Sequence, residues 1–243
     1  MEENLYEYLA GNEYPGRGIC IGKEPSGNKA MIAYFIMGRS VNSRNRVFDR
    51  IEGGIRTLAA DPSKMTDPHL IIYNPVLTLN NTTIVTNGDQ TDTIRSFMAR
   101  NDFPGHSFEA ALSTRTFEDD GPNWTPRISA VVDMRAGAYK LSILKSDNGD
   151  EKSVQRFTFE YSKPLAGIGH FISTYKCNGN PIPSFAGEPI RVTIDEENPN
   201  EYAGKLWEAL NEDNKVSLFV RAIDLKTGGY EDVIINKYKT VEE

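Results

Sequence analysis

The sequence predicts an α+β fold in which antiparallel sheets dominate and helices are few. Three observations carry this expectation. Roughly eleven segments show the alternating or continuous apolar and β-branched runs of strands. Short turn signals, notably Asp147-Asn148-Gly149-Asp150 and Thr227-Gly228-Gly229, join several of them as hairpins. Helical periodicity is confined to three places, so the pattern is one of layered sheets with a few covering helices and not of βαβ crossovers. No tract rich in Pro, Gly or Ser divides the 243 residues, and one domain over residues 1–243 is expected.

Strands are expected at residues 18–22, 29–37, 69–73, 82–86, 127–134, 138–145, 154–161, 168–175, 190–194, 215–222 and 230–238. Residues 29–37 are apolar at nearly every position, which marks a strand buried on both faces. The first helix is expected over residues 89–100, with Ile94, Phe97 and Met98 inward, and the second over about 107–116, with Phe108, Ala111 and Leu112 inward. The third, residues 199–210, has Asn198 as its cap, Pro199 at the first helical position, Glu201 completing a capping-box pattern, and Tyr202, Leu206 and Leu210 as its stripe.

Composition excludes several classes. With 27 Lys+Arg against 34 Asp+Glu the net charge is −7, which disfavours nonspecific binding to nucleic acid. The longest wholly apolar run, residues 30–37, is far shorter than the roughly 20 residues that span a bilayer. The acidic opening Met1-Glu2-Glu3-Asn4 lacks the form of a secretory signal, so a cytoplasmic protein is expected, with Cys20 and Cys177 reduced. The stretch Gly22 to Gly27 is followed by Asn28-Lys29, which breaks the phosphate-loop pattern, and Gly16, Gly18 and Gly22 lack dinucleotide spacing. His69, His106 and His170 are too scattered for a local metal motif, so no metal site is expected.

One stretch opposes the overall charge. Residues 38–56 hold Arg39, Arg44, Arg46, Arg50 and Arg56 against Asp49 and Glu52, a local balance of +3. Arginine alone supplies the positive charge, and its planar fork suits bidentate recognition of phosphate or carboxylate. Ser40, Asn42, Ser43 and Asn45 add small polar donors, as in a ligand-facing loop. Thr86-Asn87-Gly88-Asp89 ends a strand and opens a helix, and residues 118–127 place three carboxylates, Trp124 and Arg127 around two prolines. On residue types alone the same features also fit a solvated basic face, core tyrosines and an acidic surface turn.

Five ordered segments narrow the choice: Tyr14-Pro15-Gly16-Arg17-Gly18; Tyr34-Phe35-Ile36-Met37-Gly38-Arg39-Ser40-Val41-Asn42-Ser43-Arg44-Asn45-Arg46; Tyr73-Asn74-Pro75; Thr86-Asn87-Gly88-Asp89-Gln90-Thr91-Asp92; and Trp124-Thr125-Pro126-Arg127-Ile128. Over roughly residues 14–134 the chain resembles the archaeal-type IMP cyclohydrolases. The resemblance implies a fold like that of the N-terminal-nucleophile hydrolases, a four-layer αββα sandwich of two mostly antiparallel sheets without the terminal nucleophile. It implies conversion of 5-formamidoimidazole-4-carboxamide ribonucleotide (FAICAR) to IMP and water, no metal or organic cofactor, and a homo-oligomer. Arg39 and Arg44 match the family's paired arginines and Arg17 its N-terminal one, holding the 5′-phosphate or the carboxamide and formyl oxygens. Tyr34 and Tyr73 also match, Tyr73 as proton donor or orienting hydroxyl, and Glu118 as the base or the dehydration acid. Asn45 and Arg46 belong to the same binding loop, Asn87, Gly88 and Asp89 line the base or ribose, and Arg127 braces the pocket. The chain departs from the pattern at Gln90, where His is frequent, and at Asn45, where a second Arg often follows. Two other readings remain open from the sequence: an amide hydrolase that exposes Cys20 by loss of residues 1–19, and a non-enzymatic purine-nucleotide sensor using the same arginines.

Overall fold

A computed structural model describes residues 2–65, 72–101, 103 and 105–240. Its strands form two sheets whose strand pairs are all antiparallel. The first has six strands in the order β11-β10-β1-β2-β12-β13. These are β1 (Arg17–Lys23), β2 (Lys29–Met37), β10 (Ile168–Ser173), β11 (Ile190–Thr193), β12 (Lys215–Asp224) and β13 (Tyr230–Asn236). The second has seven in sequence order: β3 (Val47–Ile51), β4 (Gly54–Leu58), β5 (Val76–Leu79), β6 (Thr82–Thr86), β7 (Arg127–Asp133), β8 (Tyr139–Asp147) and β9 (Asp150–Tyr161).

Side-chain alternation sorts each central strand between two cores. In β2, Ile32, Tyr34 and Ile36 face the second sheet, while Met31, Ala33, Phe35 and Met37 face away from it. That outer face is covered by α1 (Leu5–Ala10) and α5 (Pro199–Ala209) through Leu5, Leu9, Tyr202 and Leu206. On the far side, α3 (Gln90–Arg100) and α4 (Ser107–Ser113) lay Ile94, Phe108, Ala111 and Leu112 on Ile84 and Leu144 of the second sheet. The layers therefore run helix, sheet, sheet, helix. Close packing inside the first sheet demands glycine at position 18, where a Cβ would lie 2.3 Å from the Phe35 ring.

Two polar links tie the sheets together at one side. Asn236 of β13 donates to the Phe48 carbonyl and accepts its N–H, both at 2.9 Å. Arg221 of β12, wholly buried, grips Asp232 of β13 through Nε at 2.7 Å and Nη2 at 2.8 Å. Its Nη1 crosses to Thr78 Oγ1 of β5 at 2.8 Å, and the Tyr230 ring covers the guanidinium at 3.7 Å.

The α+β class and the two antiparallel sheets agree with the sequence expectation, and differences are local. Residues 69–71 of the expected 69–73 strand lie outside the described residues, and Ile72 and Tyr73 are not strand. The arginine-rich stretch is not one loop. Its second half is the hairpin β3–β4, in which Asp49 sits opposite Arg56 and accepts its Nε at 2.8 Å. Charged cross-strand pairs hide the period-two signal, which is why β3 and β4 escape a reading based on hydrophobicity. Arg50 and Arg56 belong to that hairpin's surface, and Arg50 reaches Asp232. The short elements α1, α2 (Val41–Arg44) and β5 were likewise not anticipated.

The Arg221–Asp232 pair predicts a stability effect. Asp232→Ala strands a buried guanidinium, and thermal or urea unfolding should register a loss of about 3–5 kcal/mol. The double replacement Arg221→Met with Asp232→Leu should recover most of it; no recovery would mean that packing around Asp232, and not its charge, carries the effect.

Candidate active site

One end of the sandwich gathers the start of β1, β3 and β7 and the end of β2, β6 and β10. Alternation in β1 puts Ile19 and Ile21 between the sheets, and Arg17, two residues earlier, opens on the mouth of that space. Tyr34 stands opposite Ile19 and points the same way. Its hydroxyl lies 2.9 Å from that of Tyr73, and both are buried. Tyr73 is fixed to β4 by its main chain, its N–H donating to Thr57 Oγ1 at 2.9 Å and its carbonyl accepting Thr57 N–H at 2.9 Å.

Arg46 enters the same region after the one-turn helix α2, which Ser40 and Ser43 close with a capping box. It is 1% exposed, with Nε donating to the Ser43 carbonyl at 2.8 Å and Nη2 to that of Met37 at 3.3 Å. Arg46 Nη1 and Arg17 Nε are buried and have no partner. Unpaired donors of this kind are costly inside a protein, so two together mark a site shaped for an acceptor.

Glu118 completes the floor. It is 6% exposed, its N–H donates to the Thr125 carbonyl at 2.9 Å, and its Oε2 lies 3.7 Å from Arg17 Nη2. Burial raises the Glu118 carboxyl above the ordinary range; Arg17, Arg127 and Arg46 oppose the rise, and Asp120 adds to it. For Arg17, burial pulls downward, but Glu118 and the neighbouring tyrosines more than compensate and hold it firmly cationic. Burial first, then the charge of Arg17, lowers Arg46 from its ordinary value. The arrangement thus concentrates positive charge beside a carboxyl able to exchange a proton, a combination suited to binding an anion and moving a proton on it.

A cavity of about 270 Å³ sits over these groups, lined by Arg17, Arg39, Arg46, Glu118, Tyr14 and Tyr175 among others. Arg39 forms its rim, lying 5.0 Å from the Tyr14 ring centroid and donating to Asn178 Oδ1 at 2.5 Å and the Gly179 carbonyl at 3.0 Å. Asn123 Oδ1 accepts Ile182 N–H at 3.1 Å and ties the 118–126 loop to the 176–185 loop across the opening.

Other residues singled out from the sequence lie elsewhere. Arg44 turns back to donate to the Gly38 carbonyl at 2.9 Å and Asn214 Oδ1 at 3.1 Å. Asn45 clasps Asp61, donating to its carbonyl at 2.8 Å and accepting its N–H at 2.7 Å, and both residues border a neighbouring cleft. Asn87, Gly88, Asp89 and Arg127 form a bracket behind Glu118. Asn87 Oδ1 accepts Ile128 N–H at 2.9 Å, and Arg127 Nη1 meets Gln90 Oε1 at 2.7 Å and Asp89 Oδ1 at 2.9 Å. A Cβ at Gly88 would lie 2.3 Å from Arg127 Nη1, so glycine there lets the guanidinium through. Tyr14, Asp120, Asn123, Thr125 and Tyr175 also line the cavity without having been singled out for it. Tyr175 comes from the C-terminal half, where no motif drew notice; its only sequence signal is its place at the end of an apolar strand run.

Cys20 is not in this site. It lies in the middle of β1 on the helix-covered face, and burial pushes its thiol up to about 12, with Tyr202 opposing. Cutting before it would also remove Arg17, so the amide-hydrolase reading lacks both an accessible nucleophile and an intact cleft. Among the described residues, no group of three or more His, Cys, Asp and Glu is placed to hold a metal ion, and no helix is long and apolar enough to cross a membrane.

A cationic cleft with a buried, raised carboxyl, set in the mouth of two stacked antiparallel sheets, is the kind of site that suits a small anionic ligand. The model of the IMP cyclohydrolase-like protein family matches residues 14–228, and the chain belongs to that family. It is 28% identical over 189 residues to the IMP cyclohydrolase of Methanococcus aeolicus, covering 77% of this chain and 84% of that one. It is 27% identical over 190 residues to the IMP cyclohydrolase of Methanopyrus kandleri, covering 77% and 85%.

The raised Glu118 carboxyl has a consequence for stability. A carboxyl raised in the folded state is stabilising below its unfolded value, near 4.3, and that contribution is lost as pH rises through the folded value. Glu118→Gln mimics the protonated form, so at pH 7 it should melt above the parent, with the gap closing toward pH 4. A variant that melts lower at pH 7 would show that the Arg17 ion pair outweighs burial.

Proposed function

We propose that the chain is an IMP cyclohydrolase, closing the purine ring by converting FAICAR to IMP with loss of water. The single observation that carries the reading is the pair of buried guanidiniums, Arg17 and Arg46, each with an unpaired N–H, beside the raised carboxyl of Glu118. Family membership and the printed activity of both relatives support it.

The chemistry asks little beyond orientation, proton transfer and charge stabilisation. Both reacting groups belong to one molecule, so holding the formyl group against the carboxamide supplies much of the acceleration. The rim, where Arg39 sits beside solvent, takes the strongly hydrated 5′-phosphate, and the buried floor takes the heterocycle. The carboxamide nitrogen attacks the formyl carbon as Glu118 removes its proton. The formyl oxygen gains charge, which Arg17 and Arg46 stabilise in a low-dielectric setting where such contacts are strongest. The Tyr34–Tyr73 hydroxyl pair supplies an orienting donor to that oxygen. Glu118 returns that proton to the oxyanion, making a hydroxyl; it then takes the remaining proton of the former formamide nitrogen and passes it to the hydroxyl, and water leaves as the ring becomes aromatic. Every step uses groups of the chain and substrate alone.

The same reading holds the enzyme to be cytoplasmic, one domain over residues 1–243, and a homo-oligomer. A sheet edge such as β9 is suited to further pairing or covering.

Incubation with FAICAR, followed by the rise of hypoxanthine absorbance, tests the proposal directly. Binding without turnover would leave a nucleotide sensor. Glu118→Gln should lower kcat by about 10²–10⁴-fold while IMP affinity changes little. Arg39→Ala should weaken kcat/KM by about 10–100-fold, the equivalent of one charge-assisted hydrogen bond of about 1.5–3 kcal/mol. Arg44→Ala should act chiefly through stability, because its bonds are to Gly38 and Asn214; equal kinetic losses in the two variants would reverse that distinction.

A further inference from the structure

The cavity lining also carries a short hydrogen-bonded chain whose direction follows from its proton count. Asp120 Oδ1 accepts Thr125 N–H at 2.6 Å, and Asp120 Oδ2 lies 2.5 Å from Thr125 Oγ1. Thr125 Oγ1 in turn lies 2.5 Å from the Tyr175 hydroxyl. A carboxylate donates nothing, so the single Thr125 hydroxyl proton is committed to Asp120. The remaining contact can be filled only by the proton of Tyr175. Tyr175 is thereby left with acceptor capacity alone for whatever occupies the cavity that it, Thr125 and Asp120 all line.

Its placement is firm. The Tyr175 ring stacks on Tyr14 with centroids 5.8 Å apart and an interplanar angle of 24°. The Thr125 carbonyl also holds the Glu118 N–H at 2.9 Å, so acceptor and proton-exchanging carboxyl share one anchor. Arg17, Arg39 and Arg46, which line the same cavity, can only donate.

We propose that Tyr175 is a specificity-determining residue that accepts an N–H of the substrate's carboxamide, and that Asp120 acts through Thr125 as a positioning residue that sets this polarity. The proposal rests on the cyclohydrolase reading. A carboxamide presents an oxygen and a nitrogen of nearly equal size, and ring closure requires the nitrogen to face the formyl carbon. Guanidinium donors and a hydroxyl acceptor lining the same cavity select that rotamer: oxygen toward a guanidinium, nitrogen toward Tyr175. A 4-carboxylate in the same place would set lone pair against lone pair, so the device also rejects the acid analogue.

Asp120→Asn gives a sharp test because the amide fits both existing contacts. Its oxygen keeps the Thr125 N–H, and its NH₂ donates to Thr125 Oγ1. The Thr125 proton then passes to the Tyr175 oxygen, and the Tyr175 proton turns into the cavity. The measurement is the Kd, by titration calorimetry, of two imidazole ribonucleotides that differ only in carrying a 4-carboxamide or a 4-carboxylate. The unaltered protein should prefer the carboxamide. In Asp120→Asn the ratio of the two affinities should move toward the carboxylate by about tenfold or more, the size of one hydrogen bond exchanged for a repulsion. Tyr175→Phe should abolish most of the preference without inverting it. Equal weakening of both ligands in Asp120→Asn and Tyr175→Phe would mean a merely structural role and overturn the assignment. Should Asp120→Asn not fold, Tyr175→Phe decides alone. Turnover of FAICAR with an unchanged ratio would overturn only this inference, whereas failure of the unaltered protein to bind either ribonucleotide would overturn the cyclohydrolase reading together with it.

Discussion

Two arginine side chains held in a dry mouth between sheets are the constraint around which this end of the molecule is arranged. Burying a guanidinium costs several kcal/mol unless its donors are met, and Arg17 and Arg46 each keep one that is not. The surrounding structure answers with main-chain carbonyls from Ser43 and Met37, a carboxyl at Glu118 and aromatic hydroxyls at Tyr34 and Tyr73. None of these meets the last donor of either side chain, and in the proposed reaction an anionic substrate supplies that acceptor. Burial raises the Glu118 carboxyl in the same pocket, against the pull of those arginines.

Such a site needs a rigid frame. The frame is the double sheet, with apolar side chains packed between its layers and helices sealing both outer faces. Polar cross-links away from the cleft, the Asn236 clasp on Phe48 and the Arg221 bridge from β12 to Asp232 and Thr78, hold the sheets in one relation. The contrast between Arg221 and Arg17 is instructive. Arg221 has a bidentate carboxylate partner, which makes it structural, while Arg17 faces a carboxyl at 3.7 Å and retains a bare donor, which makes it available.

The cleft is also asymmetric in hydrogen-bond character. Guanidiniums line it with donors, and the Asp120–Thr125–Tyr175 chain adds a hydroxyl whose own proton is engaged. In the proposed role, Asp120 sets what the Tyr175 hydroxyl can offer, because the hydroxyl of Thr125 between them has only one proton to give. Neighbouring networks of similar composition, such as Asn87 with Gln90 and Arg127, are closed upon themselves and serve as a brace.

Much of the architecture was legible in the chain because its causes are local. The apolar run that follows Lys29 and ends at Met37 reads as a strand, and Asn198-Pro199 as the start of a helix. Strand period, caps and turns depend on near neighbours, and they determined the α+β class. So did the arginine excess after β2, which is a matter of composition. What only the tertiary structure decided is which of those arginines share a space. Arg44 and Arg46 are two residues apart, yet a one-turn helix sends the first to Asn214 and the second between the sheets. Tyr175, far away in sequence, reaches the cleft because β10 pairs with β1, and Cys20 is turned from it by the alternation of a strand. Convergence of distant residues follows from strand order and register, which are set by long-range pairing and which no local spacing encodes.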